Sequence, residues 1–348
     1  MYVLSAAEAI SPALSRTKRL LFQPFHWSTY LKLCAVAVIT EGLSGNSNFN
    51  GKSSASSHTA PTLPTFALSP EWIAAIIAIS IAAVVVGFLT FYLVVRLRFA
   101  LFHCLVHQTT AIAPGWRLYR EQAGRFFVFN IMVGIVYLMV AAAAVVPFIF
   151  GFIRFYHESR AAGRVNFGEL FTLALPFLPV ILLLIFLAIL VDLVIRDFMM
   201  PHIALENAPV VEAWEGALAK IAADKGAFFL YAVLRLVLPI VAMIGIFVVL
   251  LIPMIVLFGI PGVMIAGLHA ALVGATGPVL FLGTFVEVLI GFLMFAMGVL
   301  LAVGIGGPLC IAMRNYALLF YGGRYQPLGN LLYPPAPPAP VSAAVSPA

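Results

Sequence analysis

The sequence predicts an all-α, polytopic helical membrane protein. It reads as about six transmembrane helices with two cytoplasmic interfacial helix segments, arranged as a tandem repeat. Composition carries the class. Of 348 residues, 63% are hydrophobic and only 9% are charged, where a soluble domain carries about 25% charged residues. A water-soluble fold of this size could not hide that much apolar surface. Run length is the second observation: several apolar stretches reach the roughly 20 residues that cross a bilayer. The third is residues 192–229. Here charges gather between two apolar runs (Arg196, Asp197, Glu206, Glu212, Glu215, Lys220, Asp224, Lys225). Pro209 fits a first helical turn, and Val210, Val211, Trp214, Ala217, Leu218 and Ile221 recur at helical spacing. That pattern is membrane helix, surface helix, membrane helix.

The formal charge of +6 does not point to nucleic acid, because the basic residues lie beside apolar runs. Cys34, Cys104 and Cys310 are odd in number and lack CxxC spacing. They read as small packing residues, not as a disulfide framework or a zinc site.

In chain order, residues 1–43 form a basic amphipathic start and a short first membrane helix. Ile10, Leu14 and Leu21 oppose Arg16, Lys18 and Arg19 in the first part. Some 25 residues precede the apolar run near Trp27, unlike a cleaved signal peptide. Residues 44–70 are polar and aperiodic, a flexible loop. Gly42-Leu43-Ser44-Gly45 matches the GxSG of rhomboid proteases. The serine sits at a helix exit with His269 as its one remote partner, so the turn reading is preferred.

Residues 71–170 form a first unit: a span over 72–95, a surface segment over 99–125, a span over 126–150 and a charged loop over 151–169. Residues 171–258 repeat that order, with Pro176 and Pro179 kinking the span near its start. Five glycines and two prolines make 259–278 a re-entrant or interfacial loop. A last span and an aromatic exit reach 325, and 326–348 is a disordered Pro/Ala-rich tail.

The two units echo each other residue by residue. His103 and His202 are 99 positions apart, Trp116 and Trp214 are 98, and Gly124 and Gly226 are 102. Trp116, Arg117, Glu206 and Trp214 are the interfacial residues of the two units.

The pattern Pro201, Glu206-Asn207, then Glu212-Ala213-Trp214 resembles a signature of bacterial membrane domains. These include the membrane domain attached to some glycerophosphoryl diester phosphodiesterases and several uncharacterised multi-pass families. GWRLYREQ and PLCIAMRNYALLFYGGRY look like one uncharacterised branch. The resemblance implies architecture and no activity, because this chain has no soluble catalytic barrel.

The costliest residues are the strongest functional pointers. Asp192, Arg235 and Glu287 fall within apolar runs, where a charge is expensive. They form a candidate intramembrane charge network, with Glu287 expected to neutralise Arg235 and Asp192 as the alternative partner. His103 with His107, and His202 with Glu206, stand at i,i+4. Together they could bind a metal; the preferred reading makes them interfacial polar groups and no metal site. No HExxH, Walker loop or GxGxxG is present, so no catalytic residue and no cofactor is expected.

The expected role is a non-enzymatic scaffold, or an accessory of envelope or lipid homeostasis, in a bacterial inner membrane. The alternative is a small-solute or lipid transporter using the three charges. The partner is the bilayer, its anionic headgroups included. Of nineteen Lys and Arg, only Lys52, Arg154, Arg160 and Arg164 lie on the proposed outer side, with Lys32 and Arg235 embedded. The rest flank the inner ends of the spans, which predicts both termini in the cytoplasm.

Overall fold

A computed structural model describes residues 4–42, 70–162, 168, 171–172, 175–274 and 276–333. The expected flexible loop, its Ser44 and the end of the tail lie outside the described residues. Among the described residues there is helix and turn and no strand.

The helices are α1 (Ile10–Phe22), α2 (Trp27–Gly42), α3 (Pro70–His107), α4 (Ile112–Leu118) and α5 (Arg120–Ala162). Next come α6 (Phe177–Leu193), a π turn (Val194–Met199), α7 (Met200–Glu206) and α8 (Val210–Ala223). Then follow α9 (Lys225–Met254), a second π turn (Ile255–Gly259), α10 (Ile260–Leu272), α11 (Pro278–Gly322) and α12 (Gln326–Leu332). Both π turns run up to a proline, Pro201 in one case and Pro261 in the other. Proline cannot donate to the carbonyl four residues back, and a wider turn relieves that mismatch.

Five stretches are long and apolar enough to cross a membrane: Ala74–His107, Arg120–Ser159, Phe177–Glu206, Lys225–Leu272 and Pro278–Gly322. The sixth expected span, α2, falls short. Its 16 residues make about 24 Å at 1.5 Å each, against a hydrocarbon core of about 30 Å. It packs most extensively on α11. The Tyr30 hydroxyl donates to the Gly304 carbonyl at 2.6 Å, Cys34 meets Gly307, and Val38 meets Gly306. A Cβ on Gly307 would lie 2.6 Å from the Cα of Cys34; only glycine permits this approach.

Further expectations change. The tail expected to be disordered from 326 begins as the helix α12, with Leu328 and Leu332 buried. The stretch 259–278, expected as a re-entrant or interfacial loop, is helical as far as Leu272 and continuous with α9. Gly274 and Gly277, both at positive φ, then reverse the chain into α11. The outer loop expected over 151–169 begins late, because α5 carries on to Ala162 with an Arg154–Glu158 pair on its surface.

The long helices bury little of their shafts. Ile81, Val136, Leu183, Ile240 and Phe292 are all exposed, as lipid-facing residues should be. Contacts along the shafts are sparse: Phe148 on Phe177, the Tyr137 hydroxyl on the Leu184 carbonyl, and Leu272 against Gly283. The core lies instead where the helices end. Leu33, Phe99, Phe102, Phe126, Phe198, Met199, Tyr231, Phe320 and Tyr321 are fully or almost fully buried together. Short helices close this end. Arg16 of α1 donates to the Leu105 and Val106 carbonyls at 2.9 and 2.8 Å, satisfying the last turn of α3. Arg324 binds the Leu4 carbonyl and Asp224, tying the start of the chain to α11.

The span–short helix–span order occurs twice with matching detail. Gln108 and Asn207 both adopt φ 52°, ending α3 and α7 in the same left-handed turn. Phe99 meets Phe126 edge-on at 5.5 Å and 85°, as Phe198 meets Phe228 at 4.9 Å and 83°. Gly115 of α4 packs on His103, and Gly216 of α8 packs on His202.

Candidate functional site: a buried charge cluster at the helix ends

The π turn before Pro201 positions the centre of the site. Arg196 and Asp197 both lie on it, and both are turned into the core. Asp197 has a fully buried side chain. It accepts from the Tyr231 hydroxyl at 2.8 Å, Arg235 Nε at 3.1 Å and Arg314 Nη1 at 2.7 Å. A buried carboxylate is tolerated only when its lone pairs are satisfied in this way. Tyr231 and Arg235 are one turn apart on α9, and Arg314 reaches in from α11. Tyr316 and Phe320 stack on the Tyr231 ring at 5.2 and 4.4 Å, which fixes its hydroxyl.

A second carboxylate comes from the end of α2. Glu41 lies 3.4 Å from Arg196 and 3.3 Å from Arg235. Arg196 also pairs with Asp192 at 3.5 Å, one turn back on α6. Arg98 of α3, 5% exposed, donates to the Thr40 carbonyl at 3.2 Å. Four guanidiniums and three carboxylates therefore join five helices at one level. Arg–carboxylate pairs are directional, so the cluster fixes which helix ends meet and in what register.

Of the three charges expected to form one network, the structure brings Asp192 and Arg235 into this cluster. Glu287 lies elsewhere, 3.3 Å from His269 on α10. The expected Arg235–Glu287 pair is thereby corrected. The expectation ended the fifth span at Phe258. The helix instead continues to Leu272 and carries the hairpin turn further out. Glu287 sits level with His269, so it is about 50 Å along the helix from Arg235 at 1.5 Å per residue. The alternative partner, Asp192, contacts Arg196 and not Arg235.

Sequence reasoning missed four cluster members: Arg196 and Arg314 counted as basic residues flanking the spans, Asp197 as one of the charges between two apolar runs, and Glu41 was given no role. The available signals were the adjacent Arg196-Asp197 pair, with Pro201 four residues after Asp197, and a basic residue ending each of two apolar runs, Arg98 and Arg314.

The interfacial residues take these places. Trp116 and Trp214 are both half-buried. Arg96 covers the Trp116 ring at 4.1 Å and donates to its carbonyl at 2.7 Å; Trp214 meets Phe129 at 6.2 Å. Arg117 and Glu206 are exposed. His202 is used twice, by the Tyr321 hydroxyl at 2.7 Å and by Glu206 at 3.4 Å. His103 lies 4.5 Å, ring to ring, from His107. Among the described residues no three His, Cys, Asp or Glu side chains gather to hold a metal, so the two pairs do not meet in one site.

No curated protein and no solved structure matches the chain, and a family match found for it brings no link to phosphodiesterase membrane domains. That match is to the model of a family of unknown function (DUF7544) and covers residues 4–331, so the chain belongs to this uncharacterised family.

Proposed function

We propose that the protein is a non-enzymatic scaffold, or an accessory of envelope or lipid homeostasis, in a bacterial inner membrane. One observation carries the reading: the buried charges satisfy one another and lock helix ends together. Asp197 has three donors and no exposure, and its neighbours Arg235 and Arg314 are almost as deeply buried. A transport path or an active site needs a charge that water or substrate can reach. The runner-up, a small-solute or lipid transporter, draws its support from the Glu287–His269 pair, which is costly in an apolar hairpin. It loses support from the distance between that pair and the Asp192–Arg235 cluster.

The native thiols test the reading. Cys34 is buried against Gly307, and Cys310 is one turn before Arg314. A charged methanethiosulfonate reagent added to either face of native membranes should leave both unlabelled until the protein is unfolded. Labelling of Cys310 from the aqueous phase would favour the transporter.

The matched turns, edge-on Phe pairs and glycine–histidine contacts support a tandem duplication of a span–surface helix–span unit. The duplicated unit is also where kinship with phosphodiesterase membrane domains would lie. Both described ends of the chain gather at the cluster. Basic residues crowd there too, which supports cytoplasmic termini. The turn between α10 and α11 lies at the far end of the long helices from the cluster. A cysteine placed at Val273 in that turn should therefore be labelled in intact cells, and labelling only after permeabilisation would overturn this topology.

A further inference from the structure

An open groove of about 740 Å³ runs between α5 and the start of α8. Its floor is Val128, Met132 and Val136, three successive turns of α5, and its wall is Val210 and Val211. Arg125 stands at its mouth, with a half-exposed side chain. Glu121, one turn further out, is 4.0 Å from Arg125 and largely exposed. From water inward, one face of α5 therefore reads carboxylate, guanidinium, apolar channel.

We propose that this groove binds a membrane phospholipid with an aminoethyl headgroup, a phosphatidylethanolamine. Its chemistry has the same order: ammonium outermost, then phosphodiester, then acyl chain. The ammonium faces Glu121, the phosphate takes Arg125, and one acyl chain lies along Val128, Met132 and Val136. Those three residues span about 12 Å of helix, most of the roughly 15 Å depth of one leaflet.

Charge selects this occupant over others. Arg125 already stands beside Glu121, which disfavours a small free anion or a purely anionic headgroup and suits a zwitterion. Arg125 also holds the α7–α8 turn through Asn207 Oδ1 at 3.0 Å. It is not part of the shared framework, since its counterpart before Phe228 is Ala227. The assignment goes beyond the scaffold reading and rests only on its membrane placement.

The test is native mass spectrometry of the full chain in detergent, titrated with palmitoyl-oleoyl phosphatidylethanolamine or phosphatidylglycerol. Wild type should retain one phosphatidylethanolamine in preference to phosphatidylglycerol, and inorganic phosphate should not displace it. Arg125→Ala should weaken binding about tenfold, the loss of one charged hydrogen bond. Met132→Trp fills the groove and leaves every polar contact in place, so it should abolish binding without unfolding the chain. Glu121→Gln should erase the preference between the two lipids, and Lys220→Ala should behave as wild type. Equal or tighter phosphatidylglycerol binding by wild type overturns the proposal, as does unchanged binding in Met132→Trp. Wild type that carries neither lipid overturns the proposal too and leaves the membrane placement, carried by the long apolar helices, standing.

Discussion

Asp197→Asn removes one charge from the centre of the cluster and little volume. In the wild type three donors converge on that carboxylate. After the change Arg196, Arg235 and Arg314 face one remaining buried carboxylate, Glu41, and only the first two contact it. Arg314 is left with no carboxylate in reach. Stranding buried charge by removing one partner costs about 3–5 kcal/mol. Arg314→Met is milder, because Asp197 keeps Arg235 and Tyr231; loss of one charged hydrogen bond costs about 1.5–3 kcal/mol. The double variant removes the stranded pair together. It should lose less than the sum, with a coupling of about 1–3 kcal/mol. Unfolding of the purified protein by SDS in mixed micelles, followed by circular dichroism, measures all four corners of the cycle. Additive losses within about 0.5 kcal/mol would refute the pairing. A loss below about 1 kcal/mol from Asp197→Asn alone would refute the claim that its buried charge is needed.

Other consequences follow from packing and backbone. Gly307→Val should separate α2 from α11, since its Cβ would meet Cys34, and should cost more than about 2 kcal/mol; Gly304→Ala, with nothing within 4 Å of its Cβ, should stay within about 1 kcal/mol, the reverse order refuting the close contact at Gly307. Gln108→Gly should stabilise the protein by about 0.5–1 kcal/mol in the same assay, because a left-handed conformation strains any residue with a side chain. Gly115→Leu should loosen α4 from α3, where a Cβ would lie 2.7 Å from that of His103. Hydrogen exchange at Trp116 and Arg117 should then rise while α8 is unaffected.

The helical membrane class was legible because composition and run length act on every residue alike. The short helix after Glu206 was legible too, from Pro209 and the helical spacing of Val210 to Ile221; the surface segment expected over 99–125 is in fact the end of α3, the short α4 and the start of α5. Helix ends inside apolar sequence were not legible. Nothing in 255–272 changes hydropathy where α9 passes into α10. Glycine and proline there suggested a break, but a π turn before Pro261 absorbs the misfit and the helix continues. That error moved Glu287 by about 20 Å along the axis, fourteen residues at 1.5 Å each, which alone is enough to lose its pairing with Arg235. The mistake over α2 is of another kind. Its apolar residues Leu33, Cys34, Val36 and Ala37 face protein and not lipid, and hydropathy cannot separate those two apolar surroundings.

The cluster was half legible for a related reason. A charge inside a long apolar run is conspicuous, so Arg235 stood out. A charge at the end of a run looks like an ordinary flank, so Asp197, Arg196 and Arg314 did not. Yet this protein buries its core at the run ends, where short helices and aromatic residues cap the bundle. There a flanking charge is taken out of water as completely as one at mid-membrane: Asp197 and Arg314 are 1% and 3% exposed. The pairing rule for buried charge then decides the architecture. Each guanidinium must find a carboxylate or carbonyl, so Arg98 is held by the end of α2, Arg235 by α2 and the π turn together, and Arg314 by the π turn. The shafts, having no such obligations, remain free to face lipid. Specificity of assembly therefore resides in one charged layer, and the apolar helices it organises carry almost none.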